Sequence, residues 1–430
     1  MHSRTSTLTA LTLLLTACGI SDPTTADTAP VDESPDTGAP TEDLTVFVYE
    51  PVGDEPVPLE GAVVGLSQDG VVSMLESDAE GRATFDVNPD GGPIMASAYL
   101  SNYSATSVVG QGYAALHGLG DVLPLLLEAT ATDTIRVSGV IERPEPNAMQ
   151  TVVSSSAGSF SQQGADRFAV SAARGEPFTL TAYQQIVEVE PTPYDGMRFP
   201  MLSFRTLEHE GSQRDLDVTN AAWTEHEIAD HTLRVTRPTA PAVFAYDWAP
   251  ITASAVGIDG DASVMVAVTT GLEPWFGKTS NTVTLSGRAD LMTSTDLTMW
   301  TTIYAADDER SSTIRTQGAL PSLVEGPFLG PPEVLSDFPS QADALSWRTG
   351  DASLWTLMSA RSDAARWLVT VLPGTTSLDL PALLATLPTA PLEGRPLTAV
   401  LTSCESDESE SACSRSAGGL TFTIGGGAGR

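Results

Sequence analysis

An all-β fold is what this sequence predicts: an N-terminal β-sandwich, then a larger β-rich region of one or two sandwich or barrel domains. Three observations carry that expectation. Short stretches alternate apolar and polar residues with a period of two, the mark of half-buried strands. Glycine (36 residues) and proline (30 residues) are abundant and gather with Asp and Asn between those stretches, as turns require. Long apolar stripes at helical spacing are missing. The 430 residues suffice for two or three domains, and 41% hydrophobic residues suffice for packed cores.

The first folded unit is expected over 44–129. Leu44 to Tyr49 opens it, Gly61 to Leu66 follows, and Gln68-Asp69-Gly70 marks a turn. In Arg82 to Val87, Ala83, Phe85 and Val87 share one face while Arg82, Thr84 and Asp86 share the other. Asn88-Pro89-Asp90-Gly91-Gly92 is the next turn. Gly81 supplies a turn conformation free of side-chain clash, Phe85 should point into the core, and Asp78 should bond local backbone amides. The strand Gly61-Ala62-Val63-Val64, the run Asp78-x-x-Gly81-x-x-x-Phe85, and then Ala98-Tyr99 and Tyr103 resemble the carboxypeptidase regulatory-like domain. That resemblance covers about a fifth of the chain. It implies a transthyretin-like (or immunoglobulin-like) sandwich, an accessory module rather than a catalytic one.

Residues 130–430 also read as strands. Ile135/Val137, Phe178/Leu180, Leu233/Val235, Val264/Val266/Val268, Trp367/Val369/Val371 and Leu420/Phe422/Ile424 all alternate. Leu380 to Leu387 reads as a short turn of helix with Pro381 near its start. Thr134-Ile135-Arg136-Val137-Ser138-Gly139 is echoed by Thr282-Val283-Thr284-Leu285-Ser286-Gly287. The echo would divide this region into 134–281 and 282–430; a single larger domain is the alternative.

Ahead of the folded body, an apolar run from Leu8 to Ala17 ends in Leu15-Thr16-Ala17-Cys18. It is shorter than the ~20 residues of a spanning helix and fits a secretory signal over 1–17. The four residues resemble the lipobox of bacterial lipoproteins. The resemblance implies cleavage before Cys18 and lipidation of its thiol, with palmitate among the acyl groups. Gly19, where inner-membrane retention favours Asp, points by the same resemblance to the outer membrane. Residues 18–43 are dominated by Pro, Thr, Ser, Asp and Glu and cannot bury enough apolar surface to fold. They read as an extended tether.

The net charge is −34, with 55 acidic residues against 21 basic ones and Lys278 as the lone lysine. Such a chain repels nucleic acid and anionic lipid. Apart from Cys18 the cysteines are Cys404 and Cys413, a natural disulfide pair in an exported chain. Their intervening acidic loop could alternatively hold a cation.

Motifs with catalytic spacing fail in detail. Gly271-Leu272-Glu273-Pro274-Trp275-Phe276-Gly277-Lys278-Thr279 ends like a P-loop. It has one residue too many between its glycines, carries Glu273, and precedes a strand-like run instead of a helix. In Glu225-His226-Glu227-Ile228-Ala229-Asp230-His231 the histidines lie five apart, not the four that stack imidazoles on a helix face. Neither Asp259-Gly260-Asp261 nor Asp307-Asp308-Glu309 has a full EF-hand ladder. None of His117, His209, His226 or His231 begins the His-x-x-Glu of zinc carboxypeptidases.

The expected protein is therefore a non-catalytic, lipid-anchored envelope protein with no cofactor, displaying β-modules for structure or binding. Its partners would be the membrane, through the anchor, and a glycan or envelope protein. A carbohydrate-binding or adhesive role would need exposed aromatics among Trp223, Trp248, Trp275, Trp300, Trp347, Trp355 and Trp367. A hydrolase would need His226 or His231 beside an acid or serine in a pocket.

Overall fold

The computed structural model describes residues 41–423 apart from 53–54, 129–133, 143–147, 149, 156–157, 164–165, 187, 190–196, 237–250, 260–261, 270–280, 305–309, 327, 331, 336–343, 350–353, 362–365, 388–395, 406–411 and 416–419. Among the described residues 64% lie in strands and 4% in helices. The all-β expectation holds.

The first unit contains β1 (Glu42–Val52), β2 (Glu55–Pro58), β3 (Val63–Gln68), β4 (Val71–Glu76), β5 (Arg82–Val87), β6 (Ile94–Tyr99), β7 (Ala105–Gly110) and β8 (Val122–Leu126), with helix α1 (Tyr113–His117) before β8. In one layer β1 pairs with β8 in parallel on one side and with β5 and β2 antiparallel on the other. The other layer runs β4-β3-β6-β7. Between them lie Leu44, Val46, Val64, Leu66, Phe85, Ile94, Leu123 and Leu125. As its alternation predicts, β5 buries Ala83, Phe85 and Val87 and exposes Arg82, Thr84 and Asp86. Burying a side chain such as Phe85 contributes about 2–3 kcal/mol. The Asp78 carboxylate accepts from the amides of Glu80 and Arg82 at 3.0 and 2.8 Å. Gly81 turns at φ +75°, and a Cβ there would lie 2.5 Å from the Val48 carbonyl oxygen. The turn needs glycine for its conformation and because it passes directly over β1.

The next core holds Ile135, Val137, Val153, Phe168, Phe178 and Leu180. It lies between a three-stranded sheet centred on Thr134–Val140 and a five-stranded sheet ending at Thr224–His226. A third core, with Leu233, Val266, Leu285, Met299 and Ile303, spans the strands from Ile228–Val235 to Ser311–Gly318. Thr282–Arg288 lies inside this sheet, paired with both Ile228–Val235 and Ala262–Thr269. Residue 281 thus marks no break in sheet or core, although both copies of the six-residue echo do form strands.

The C-terminal strands return to the first unit. A sheet of sixteen strands runs from Leu323–Val324 at one end to β4 at the other. Its junction is a parallel pairing of Arg366–Val371 with β7, Trp367 opposite Ala105 and Val371 opposite Val109. Ala105 and Val109 enter the C-terminal core beside Trp347, Trp367 and Leu401. The expected helical turn is α2 (Leu380–Ala385), capped by Asp379, whose carboxylate accepts from the Ala382 amide at 2.9 Å.

Candidate functional site

Cys18 lies outside the described residues. Cys404 and Cys413 stand directly opposite each other where Pro396–Cys404 pairs with Ala412–Arg415. Antiparallel partners have Cα atoms about 4.5–5.5 Å apart, inside the range a disulfide spans. The register therefore permits the expected bridge. The residues between the two cysteines, apart from Glu405 and Ala412, fall outside the described residues, as do 271–279 and Asp307-Asp308-Glu309.

His226 and His231 belong to different sheets. His226 ends the second unit's five-stranded sheet, and His231 lies in the strand that opens the third unit. The His226 Nε2 is 2.7 Å from the Thr206 hydroxyl, and its ring meets Phe204 edge-on. His231 Nε2 donates to the Pro321 carbonyl at 2.8 Å. Each imidazole is engaged in a structural contact. Burial, and then the nearby Arg288 charge, pushes the His226 pKa below its ordinary value. Asp259 is spent on an ion pair: Arg288 reaches it at 2.6 Å and Asp290 at 2.7 Å. Among the described residues no three His, Cys, Asp or Glu side chains are placed to share a metal.

Five of the seven tryptophans are described, and none is exposed. Trp347 and Trp367 are fully buried, their indole N–H groups donating to Thr356 and Ser107 at 3.1 and 2.9 Å. Trp223 packs edge-on against Phe168. These five form no aromatic platform.

What the structure does expose is β4. Every residue of Val71–Glu76 is exposed. Val71 is 66% exposed and Val72, Met74 and Leu75 are 41%, 41% and 42% exposed. The strand ends the sixteen-stranded sheet and, among the described residues, pairs with β3 alone. The opposite end of that sheet is a strand of two residues, the short kind that blunts an edge.

Local chemistry holds β4 in place. Asp69 and Gly70 connect β3 to β4 with φ of 52° and 78°, a two-residue turn of the primed type that matches strand twist. The Asp69 carboxylate accepts from the Gly92 amide at 2.9 Å, and the Gln68 side chain bonds both backbone groups of Asn88. Beyond the far end, Ser77 donates to the Leu59 carbonyl at 2.7 Å and accepts from the Ala62 amide at 2.9 Å. Gln68 and Val71 close the hairpin as partners. In a two-residue hairpin that closing pair is hydrogen-bonded, and bonded pairs then alternate. The backbone groups of Val72, Met74 and Glu76 consequently face away from β3, toward the open edge.

Sequence patterning misses this strand. Alternation is legible only where one face is buried, and neither face of β4 is. The available signal is the apolar run Val71-Val72-Ser73-Met74-Leu75 directly after an Asp-Gly turn.

No protein-family profile and no curated protein matches the chain. Among solved structures it is similar to the minor pilin GBS52 of the Gram-positive pathogen Streptococcus agalactiae. The identity is 15%, covering 46% of this chain and 99% of that one, with a TM-score of 0.17. The TIE protein of Bacillus anthracis matches at 9% identity over 65% of this chain and 45% of that one, with a TM-score of 0.19. A Ca2+-stabilised adhesin that helps an Antarctic bacterium reach out and bind ice matches at 12% identity, over 90% and 99% of the two chains, with a TM-score of 0.14. At TM-scores this low none of the three defines the arrangement of this chain. Among the described residues no helix is long and apolar enough to cross a membrane.

Proposed function

We propose that this chain is a lipid-anchored protein of the bacterial cell envelope that displays β-sandwich modules for structure or binding and performs no catalysis. The observation that carries the reading is the order of segments at its start. Leu15-Thr16-Ala17-Cys18 is followed by an acidic Pro/Thr run that leads straight into β1 at Glu42. A diacylated cysteine gives stable anchoring where one acyl chain would be reversible. The like-charged run then holds the body off the bilayer. Gly19 supports sorting to the outer membrane. The carboxypeptidase regulatory-like resemblance agrees with the two-layer first unit.

The non-catalytic part is supported by what the candidate side chains already do. His226 and His231 are bonded in separate sheets, and Asp259 is paired with Arg288. We also propose that Cys404 and Cys413 form a disulfide in the exported protein.

Cys18→Ala tests the anchor. The variant should lose palmitate labelling and leave the membrane fraction; a variant that stays in that fraction refutes the reading. Non-reducing peptide mapping tests the bridge. It should link Cys404 to Cys413, and free thiols in exported material would reject it.

A further inference from the structure

We infer that β4 is a docking edge for an extended segment of another protein, apolar at alternate residues and basic at both ends, which joins the sheet as a further strand. The inference rests on the display reading but not on the anchor. Three features of the edge define the occupant.

The first is unused backbone. Val72, Met74 and Glu76 turn their N–H and C=O groups to the open side, and the described residues place no strand there. A row of such groups is a template for strand addition. The second is apolar surface on both faces: Val71 and Leu75 on one, Val72 and Met74 on the other. An added strand covers these with its own alternating side chains. The edge is also pinned beyond both ends, by the Asp69–Gly92 and Ser77–Leu59 contacts, so docking orders little that is not already ordered.

The third feature is charge. Residues 44–129 hold twelve acidic residues against Arg82 alone. Asp69 precedes β4 and Glu76 ends it. A second copy pairing antiparallel would bring Asp69 of each chain toward Glu76 of the other, so like charges would meet at both ends. A segment with Lys or Arg at its two ends meets opposite charges there instead. Six residues of strand span about 20 Å, so about five or six residues should separate the basic ends.

The test uses the full-length chain and the fluorescein-labelled peptide KRVTVTVKR, followed by fluorescence anisotropy. Binding should be saturable and should weaken as salt rises from about 0.05 to about 0.5 M. The acid-ended peptide EEVTVTVEE should not bind. Val72→Pro removes an N–H from the open side while leaving the β3 ladder complete, and should weaken binding about tenfold or more. KRVTVTVKR N-methylated at alternate residues should fail likewise, and this arm leaves the protein untouched. Glu76→Lys should weaken binding and reduce its salt dependence. Absence of binding by KRVTVTVKR overturns the inference. So does equal binding of the acid-ended or N-methylated peptide. A dimer in sedimentation that Val72→Pro abolishes would assign the edge to a second copy and overturn it as well. Loss of membrane association by Cys18→Ala leaves these outcomes unchanged, so the two readings fail separately.

Discussion

The Arg288 side chain is 5% exposed, while its partners Asp259 and Asp290 are 37% and 59% exposed. Burial alone would lower the pKa of the guanidinium, but its hydrogen bonds to the two carboxylates raise it. This asymmetry predicts unequal mutational effects. Arg288→Met leaves two carboxylates that water can solvate. Asp259→Asn with Asp290→Asn leaves a buried charge unpaired, which costs about 3 kcal/mol. Urea unfolding should find the double variant less stable than Arg288→Met; the reverse order would refute the account. His226 lies in the same field. With its pKa held down by burial and then by Arg288, and opposed by Asp290, Asp259 and Glu208, it takes up a proton at lower pH folded than unfolded. The unfolded chain binds that proton near pH 6.5. Stability is therefore lost as pH falls from about 6.5 through the folded pKa, and levels off below it. His226→Gln should flatten the melting-temperature profile between about pH 7 and 5; profiles that fall in parallel would reject His226 as the cause. The spacing of His226 and His231 already argued against a shared metal. Arg288 was not legible, because Asp259 and Asp290 become its partners only once the third sheet has formed.

At the scale of elements, β5 and the Asp78–Gly81 turn were readable and β4 was not. Period two reports a boundary between core and solvent. β5 lies on such a boundary, whereas β4 projects past it. The contact between β3 and α2 was equally hidden. Gly65 of β3 leaves so little room that a Cβ there would sit 1.9 Å from the Thr386 carbonyl oxygen. The Ser97 hydroxyl beside it is 2.5 Å from that of Thr386. Glycine within a strand ordinarily weakens it, so Gly65→Ala by propensity alone should stabilise the chain. The close approach reverses the sign: Gly65→Ala should destabilise by about 1–3 kcal/mol through overpacking. A raised unfolding midpoint would mean that α2 does not dock there.

At the scale of the whole molecule, the segment 44–129 supplies most of a sandwich core yet is not closed. Its β7 is an interior strand of the larger sheet only because Arg366–Val371 pairs with it. Leu372 completes the first core from the far end of the chain. Trp367 reaches back to Ser107, which bonds Ser97 at 2.7 Å, which in turn bonds Thr386. Sequence patterning finds Arg366–Val371 but neither β7, which is buried along its whole length, nor the pairing of the two. Parallel pairing between residues about 260 apart leaves no turn or spacing to read. A fragment of residues 41–129 would leave the β7 edge unpaired and strip Ala105 and Val109 of the C-terminal core. A hydrophobic open edge of that kind invites aggregation. Alone, the fragment should be recovered largely in aggregates. Co-expressed with residues 332–423, which supply Trp367, Leu372 and α2, it should be recovered soluble and in complex. A 41–129 fragment that is monomeric and melts like the intact chain would show that the first unit needs nothing from the C-terminal strands.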